Sequence, residues 1–206
     1  HRSRRARWAA EAEAQAGGPR PGFAWVTRRL QEVIDESTIV VNEYPIDRRH
    51  LAFDRPGAFF GQPHSSGLGW ALPAALGIKL GAPDRTVIAA LGDGAYLFNE
   101  PVACHLAARQ QGLPVLTVIY NNQQWEAVKQ STLAVHPDGH AQASGRFPLT
   151  SLGPAPRYEE IVRAFDGHGE RVETPAEVGP ALPRALAAVR EGRQAVVNVL
   201  CGRARD

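Results

Sequence analysis

Two patterns of hydrophobic and polar positions alternate along the chain. Short apolar runs rich in β-branched residues indicate buried strands, and they occur at 38–42, 86–91, 115–120, within 167–173 and at 194–200. Segments with apolar residues at helical spacing separate these runs, at 23–35, 99–111, 158–165 and 175–189. Helices that alternate with strands are typical of an α/β fold with a doubly wound, mainly parallel sheet and helices on both faces. We predict that fold class.

The amino-terminal segment differs from the rest of the chain. Residues 1–18 are rich in Arg and Ala with interspersed Glu, and a Gly- and Pro-rich stretch follows at 17–22. Such a segment either forms an exposed helix or lies disordered. We therefore predict a linker or flexible segment at 1–21 and one domain at 22–206.

Composition narrows the classes of function. The chain has 206 residues, 44% of them hydrophobic, which is enough for one well-buried domain. Its net charge is +2, and apart from Arg2 to Arg7 the arginines are scattered, so we expect no nucleic-acid surface. Two cysteines, Cys104 and Cys201, give neither a disulfide framework nor metal-ligand spacing, which favours a reducing cytoplasm.

Targeting signals are not apparent in the sequence. No apolar run reaches membrane-spanning length, and the amino terminus lacks the apolar core of a signal peptide. We therefore expect no membrane segment and a cytoplasmic location. Because the chain contains no methionine, we also expect that it was processed or cut from something longer.

Two motifs follow neighbouring strands of the predicted sheet. Gly92-Asp93-Gly94 comes after the apolar run at 86–91, and Asn121-Asn122 comes after the run at 115–120. In a right-handed βαβ unit these strands lie side by side, so Asp93 and Asn122 reach the same sheet edge. The glycines suit a sharp turn with amide groups open to a phosphate, and Mg²⁺ prefers carboxylate and amide oxygens. Either motif alone fits a plain turn or strand end; together they predict a metal and diphosphate site.

A second glycine-rich segment precedes a predicted helix. Ser66-Gly67-Leu68-Gly69 runs into Ala71-Leu72-Pro73-Ala74-Ala75. Taken alone, this pattern suits either a phosphate-binding loop or a close-packed helix entrance.

Together these motifs resemble those of the thiamine-diphosphate enzymes, in the branch that holds acetolactate synthase, benzoylformate decarboxylase and pyruvate decarboxylase. The resemblance runs from about Gly22 to Leu200 and implies the carboxyl-terminal, diphosphate-binding domain with thiamine diphosphate and Mg²⁺ as cofactors. It implies that Leu68 props the thiamine into its bent shape. The implied metal ligands are Asp93, Asn122 and the backbone carbonyl of Gln124, and the implied cofactor contacts are Gly67, Leu68, Gly92, Asp93, Gly94, Ala95 and Asn122.

The positions after Gln124 would face the substrate in this family. They include Trp125, Ala127 and Val128. Pyruvate decarboxylases have a glutamate where Val128 stands, whereas benzoylformate decarboxylase is apolar at both Ala127 and Val128. The resemblance thus argues against simple acetaldehyde release and favours a bulkier 2-oxo acid or capture by a second carbonyl. The alternative is that Trp125 and Val128 only pack a helix.

Three further features have weaker assignments. His64 is a candidate substrate or phosphate contact, although most loop histidines are surface residues. The segment that begins at Asn42-Glu43 resembles the segment that touches the cofactor phosphates in this family. We expect it to lie near the phosphates but assign no bond to its residues. Residues 131–157 show no period; we favour a lid over a metal cluster of His136, Asp138 and His140.

The resemblance also implies that this chain is incomplete as an enzyme. The glutamate that activates the cofactor normally lies on a pyrimidine-binding domain, so we expect no catalytic residue on this chain. We expect a pyrimidine-binding partner, as a separate subunit or as the front of the same polypeptide, in a homo- or hetero-oligomer with at least two active-site halves. A small 2-oxo acid is the expected substrate.

Several functions remain open at this stage. The leading hypothesis is an acetolactate-synthase-type carboligase component. The alternatives are a benzoylformate-type decarboxylase component, a non-catalytic cofactor-holding or assembly subunit, and an α/β domain that binds some other nucleotide.

Overall fold

One sheet organises the molecule. The computed structural model describes residues 2–62 and 67–202 and contains a six-stranded sheet in which all neighbouring strands are parallel. The strand order is β2-β1-β3-β4-β6-β5. The strands are β1 (Thr38–Glu43), β2 (Phe59–Phe60), β3 (Thr86–Gly92), β4 (Leu116–Asn121), β5 (His168–Val172) and β6 (Ala195–Leu200).

Helices cover both faces of this sheet. The α-helices of the described residues are α1 (Arg2–Ala14), α2 (Phe23–Gln31), α3 (Ala71–Gly81), α4 (Asp93–Phe98), α5 (Pro101–Gln111), α6 (Glu126–Val135), α7 (His140–Ser144), α8 (Tyr158–Arg163) and α9 (Pro175–Arg190), of which α6 and α7 bury no residue. Successive strand residues face opposite sides, so Val40 belongs to one buried cluster and Val41 to the other. The first cluster lies under α2 and α9, and the second lies under α3, α4, α5 and α8. The predicted doubly wound fold class is confirmed.

The longest helix begins where the sequence signals predict. Thr174 and Glu177 form a capping box at the start of α9, with Pro175 as the first helical residue. The side chain of Glu177 accepts the backbone N–H of Thr174 at 2.9 Å. Two of the free N–H groups at the helix start are therefore satisfied locally.

Some predicted elements have different bounds. The helix predicted at 99–111 begins at Pro101, because Glu100 adopts a left-handed conformation (φ 49°) that separates α5 from α4. The stretch at 131–157 is not wholly irregular, since α6 continues to Val135 and α7 follows. Among the described residues, no group of three or more His, Cys, Asp or Glu side chains could hold a metal. The alternative of a metal cluster formed by His136, Asp138 and His140 is therefore wrong. The lid stays a prediction.

The amino-terminal segment folds as a helix, α1, that packs against α2. Ala12 is buried, and Glu13 lies 3.2 Å from Arg28. The side chain of Gln15 accepts the backbone N–H of Ala24 at 2.9 Å. The domain boundary at residue 22 stays a prediction. Within 2–62 and 67–202, no helix is both long enough and apolar enough to cross a membrane.

Candidate functional site

The carboxyl ends of β1, β3 and β4 form one edge of the sheet. The register pairs Glu43 with Leu91 and Gly92 with Tyr120, so these strands end at the same level. From β1 the chain passes outward to β2 and returns on the other side of β1 to β3, so its direction reverses between β1 and β3. In open parallel sheets, loops that diverge at such a reversal leave a crevice where ligands bind. This edge is the candidate site.

Asp93 is the buried acid at this edge. It is the first residue of α4 and is only 2% exposed. Burial raises the pKa of its carboxyl group to about 6, although the backbone N–H groups of Gly94, Gln123 and Gln124 stabilise the charged form and act in the opposite direction. Its Oδ2 atom is buried and has no hydrogen-bond partner among the described residues. A carboxylate oxygen left in this state is costly unless a cation meets it.

Asn122 and Gln124 lie on the segment that follows β4. The side-chain oxygen of Asn122 accepts the backbone N–H of Gln124 at 3.1 Å, and Asn122 itself is buried. Between them Gln123 adopts a left-handed conformation with φ 59°. The carbonyl of Gln124 accepts the N–H of Glu126 at 2.9 Å. The structure thus brings Asp93 together with the segment that carries Asn122 and Gln124.

The donor set fits a hard divalent cation. Asp93 offers a carboxylate oxygen without a protein partner, and Asn122 offers an amide oxygen with a second lone pair. Mg²⁺ is commonly bound by one or two such side chains, with phosphate oxygens and water completing its coordination.

The reason for the glycines differs from the expected one. The chain passes directly from β3 to α4 here, but Gly92 has φ −75° and Asp93 and Gly94 already lie in the first turn of the helix, so the backbone conformation at Gly92 does not require glycine. A Cβ atom at Gly94 would stand 2.5 Å from ring atoms Cε3 and Cζ3 of Trp125. Glycine is needed there because the indole lies against the start of α4. Ala95, the next residue, is buried.

The second glycine-rich segment is held by a buried glutamate. Glu43, at the end of β1, accepts the backbone N–H groups of Gly69 at 2.6 Å, Trp70 at 3.1 Å and Ala71 at 2.9 Å. Gly69 has φ 91°, and a Cβ atom there would stand 2.2 Å from the carbonyl oxygen of Phe98. Leu68 directly precedes this clamp and is 38% exposed. Glu43 therefore fixes the backbone beside Leu68 and α4. Gly67 is exposed, and a Cβ atom there would meet none of the described residues within 4 Å.

Asn99 joins the same two helices, a role that the sequence reasoning missed. Its side-chain oxygen accepts the N–H of Leu72 at 2.8 Å, and its amide donates to the carbonyl of Ala95 at 2.6 Å. The neighbouring ring of Phe98 meets the ring of Trp125 edge-on, with centroids 5.4 Å apart. The starts of α3 and α4 and the segment after β4 therefore form one packed unit.

The candidate substrate residues differ in burial. Trp125 is half-buried and donates its backbone N–H to Thr150 at 2.8 Å. Ala127 and Val128 lie on α6, none of whose residues is buried, and Val128 is 55% exposed. His64 lies outside the described residues. Among the candidates that the structure describes, Trp125 is the one seen in contact with the segment that holds Asp93, through Gly94.

Buried polar side chains behind the site were also missed. Asn198 lies in the middle of the apolar strand β6 and bonds to Asn121 and to Glu159. A polar residue inside an apolar strand is the sequence signal that points to such a contact.

Comparison with known proteins identifies the family. Residues 46–199 match the family model described as "Thiamine pyrophosphate enzyme, C-terminal TPP binding domain". The chain is 31% identical over 186 residues, 90% of its length, to the sulfoacetaldehyde acetyltransferase of Alcaligenes xylosoxydans xylosoxydans, and covers 29% of that protein. It is 41% identical over 135 residues, 66% of its length, to a probable acetolactate synthase of Mycobacterium bovis, and covers 22% of it.

Solved structures share the fold. The 4-hydroxybenzoylformate decarboxylase of Rhodococcus jostii RHA1, described as thiamine diphosphate-dependent, superposes with a TM-score of 0.76 at 24% identity, over 92% of this chain and 34% of that one. The benzoylformate decarboxylase of Polynucleobacter necessarius gives a TM-score of 0.75 at 24% identity, over 91% and 34% of the two chains. The chain spans less than a third of the length of the curated relatives named above. It belongs to the thiamine pyrophosphate enzyme family, as a carboxyl-terminal domain that binds thiamine pyrophosphate.

Proposed function

We propose that this chain is the diphosphate- and Mg²⁺-binding part of a thiamine-diphosphate-dependent enzyme that processes 2-oxo acids. The observation that carries the proposal is the buried Oδ2 atom of Asp93, which has no partner among the described residues and lies beside the segment of Asn122 and Gln124. Asp93, Asn122 and the carbonyl of Gln124 would hold the metal. When bound, thiamine diphosphate supplies the electron sink for decarboxylation.

The remaining site residues would position and shield the cofactor. Gly67, Gly92 and Ala95 add little side-chain bulk, so a diphosphate can approach the backbone at this edge. Gly94, where the ring of Trp125 fills the place of a side chain, would contact it only through its backbone. Leu68, whose neighbouring backbone is clamped by Glu43, would offer an apolar contact to the thiamine rings.

A carboligase is the favoured reaction type. Ala127 and Val128 bring no acidic or basic group to the open face of α6, which favours capture of the acyl unit by a second carbonyl over protonation and release. The names of the two sequence relatives, an acetyltransferase and an acetolactate synthase, support the same choice. A benzoylformate-type decarboxylase is the second candidate, because the same apolar pair suits a bulky 2-oxo acid.

A partner would complete this edge. Tyr44, which follows Glu43, and Phe98, which contacts Gly69, are 60% and 57% exposed, and large exposed aromatic side chains beside a site favour an interaction surface. The chain also covers only 22–29% of the two curated relatives. The proposed partner is a pyrimidine-binding domain or subunit that brings the activating glutamate.

The test is an assay of the chain with and without such a partner. A pyrimidine-binding protein encoded beside the gene would be coexpressed with the chain, and the pair would be supplied with pyruvate or benzoylformate while carbon dioxide and organic products are measured. We expect a carbon–carbon bonded product from pyruvate with the pair and no turnover by the chain alone. Release of an aldehyde alone would favour the decarboxylase. Cofactor binding without turnover would favour the non-catalytic subunit. Turnover by the isolated chain would contradict the need for a partner.

A further inference from the structure

A row of buried polar side chains runs behind the segment that follows β4. Glu159 in α8, Asn198 in β6 and Asn121 at the end of β4 are each at most 1% exposed. Asn198 donates its side-chain N–H to Oε2 of Glu159 at 2.7 Å, and Asn121 donates its own to Oδ1 of Asn198 at 3.0 Å. Oδ1 of Asn121 then accepts the backbone N–H of Gln123 at 3.1 Å. We call these three side chains the amide relay.

The chemistry of Glu159 sets the direction of every bond in the amide relay. The Nε–H group of Arg157 donates to Oε1 of Glu159 at 3.4 Å, and a carboxylate paired in this way accepts hydrogen bonds, so Asn198 must turn its NH₂ group toward Oε2. The second hydrogen of that group is directed at the carbonyl of Pro156, 3.4 Å away, which is also only an acceptor. The oxygen of Asn198 is therefore left for Asn121, whose NH₂ group must face it.

The last bond of the amide relay acts on the metal-binding segment. Since the NH₂ group of Asn121 faces Asn198, its oxygen is available for the N–H of Gln123, the left-handed residue of the turn. The backbone of Asn121 is fixed separately, because its carbonyl accepts the N–H of Cys201 at 2.8 Å. The side-chain orientation of Asn121 thus decides whether the N–H group of Gln123 keeps this acceptor, which is one of the supports of the turn between Asn122 and Gln124.

We propose that Glu159 and Asn198 are positioning residues for the metal site. They impose one amide orientation on Asn121 and thereby fix the turn at Gln123 that presents Asn122 and the carbonyl of Gln124. The inference rests on the proposed function, because the affinity that the amide relay controls is that of the metal site. Outer residues that orient metal ligands commonly change metal affinity by about 10- to 100-fold.

The test reverses the relay. In Asn121→Asp, a carboxylate stands at each end of Asn198, so one acceptor must face another whichever way the amide turns. The dissociation constant of Mn²⁺ is measured with saturating thiamine diphosphate, from the electron paramagnetic resonance signal of free Mn²⁺. We expect it to rise about 10- to 100-fold in this variant. An added negative charge by itself would lower that constant, so its rise distinguishes geometry from charge.

The double variant should recover binding. Glu159→Gln alone keeps an oxygen that can accept from Asn198, so we expect a change of about threefold or less. In the double variant with Asn121→Asp, the new glutamine can donate to the side-chain oxygen of Asn198, and the NH₂ group of Asn198 then turns to the new carboxylate. The affinity for Mn²⁺ should recover at least about fivefold. Recovery should be incomplete, because the turned oxygen of Asn198 would face the carbonyl of Pro156.

Glu160→Gln is the matched control. Glu160 lies next to Glu159 and bonds to the exposed side chains of Arg157 and Arg163. Arg157 also contacts Oε1 of Glu159 at 3.4 Å, but Glu160 itself makes no bond to Asn198 or Asn121 among the described residues. It should not restore Asn121→Asp. The relay is refuted if the double variant binds Mn²⁺ no better than Asn121→Asp, or if Glu160→Gln restores binding equally.

Folding supplies a second readout. If Asn121→Asp does not fold, recovery of its unfolding free energy in urea by Glu159→Gln, and not by Glu160→Gln, is the expected result; equal recovery or none would refute the relay. The proposed function fails separately, if the wild-type chain shows no Mn²⁺ binding that Asp93→Ala removes.

Discussion

Glu43→Gln offers the sharpest test of how the site is supported. The two oxygens of this buried carboxylate accept three backbone N–H groups at the start of α3. Glutamine can keep its one oxygen for the N–H groups of Trp70 and Ala71, but its NH₂ group then faces the N–H group of Gly69. One buried donor without a partner costs about 1–3 kcal/mol, so we expect the free energy of unfolding to fall by roughly that amount.

Urea denaturation of the wild type and the variant measures this loss. We expect a lower midpoint with an unchanged slope, since the surface exposed on unfolding stays the same. Glu177→Gln is the matched control, because Oε2 of Glu177 also accepts two backbone N–H groups at a helix start, from Glu173 at 2.8 Å and Thr174 at 2.9 Å, but in an exposed position. It should cost only about 0.5–1 kcal/mol. Equal losses in the two variants would refute the reasoning, because burial is what separates them.

Three other changes have defined outcomes. Gly94→Ala should destabilise the chain by about 1–3 kcal/mol, because its Cβ atom would meet the ring of Trp125. Trp125→Leu should reduce the cost of Gly94→Ala. An unchanged cost in the double variant would contradict the contact. Without metal, the pKa of Asp93 near 6 lies above its ordinary value of 3.8, so its protonated form favours folding. This contribution to the free energy of unfolding is present below pH 3.8 and is lost as the pH rises through about 6, by up to roughly 3 kcal/mol. Urea denaturation at a series of pH values measures it, and Asp93→Asn should not show this pH dependence. Val128→Glu should change the unfolding free energy by less than about 0.5 kcal/mol, since Val128 is 55% exposed, yet lower turnover of the assembled pair; unchanged turnover would remove Val128 from the substrate pocket.

The sheet and its functional edge could be predicted because they depend on local patterns. Apolar runs mark the strands, and the handedness of βαβ units places Asp93 and Asn122 at one edge of the sheet. β2 escaped prediction because a strand of two residues, Phe59–Phe60, has no period to detect. The break at Glu100 escaped it because a left-handed glutamate has no sequence signature.

The supports of the site depend on contacts between residues far apart in sequence. Glu43 binds N–H groups 26 to 28 residues away, and Asn121 and Asn198 are separated by 77 residues. The need for glycine at Gly94 arises from a ring 31 positions along the chain, that of Trp125. Sequence position alone identifies none of these pairs, although a buried Asn inside the apolar strand β6 indicates that some partner is required.

The central claim is that the edge at Asp93 and Asn122 binds a divalent metal together with the diphosphate of thiamine diphosphate. Isothermal titration calorimetry of the chain with thiamine diphosphate, in the presence of Mg²⁺ or of a chelator, tests this claim most directly. Asp84→Ala is the control, because exposed Asp84 precedes the same strand, β3, at its opposite end. We predict Mg²⁺-dependent binding by the wild type and by Asp84→Ala, and none by Asp93→Ala. Equal binding by Asp93→Ala, or binding by the wild type that the chelator leaves unchanged, would contradict the account.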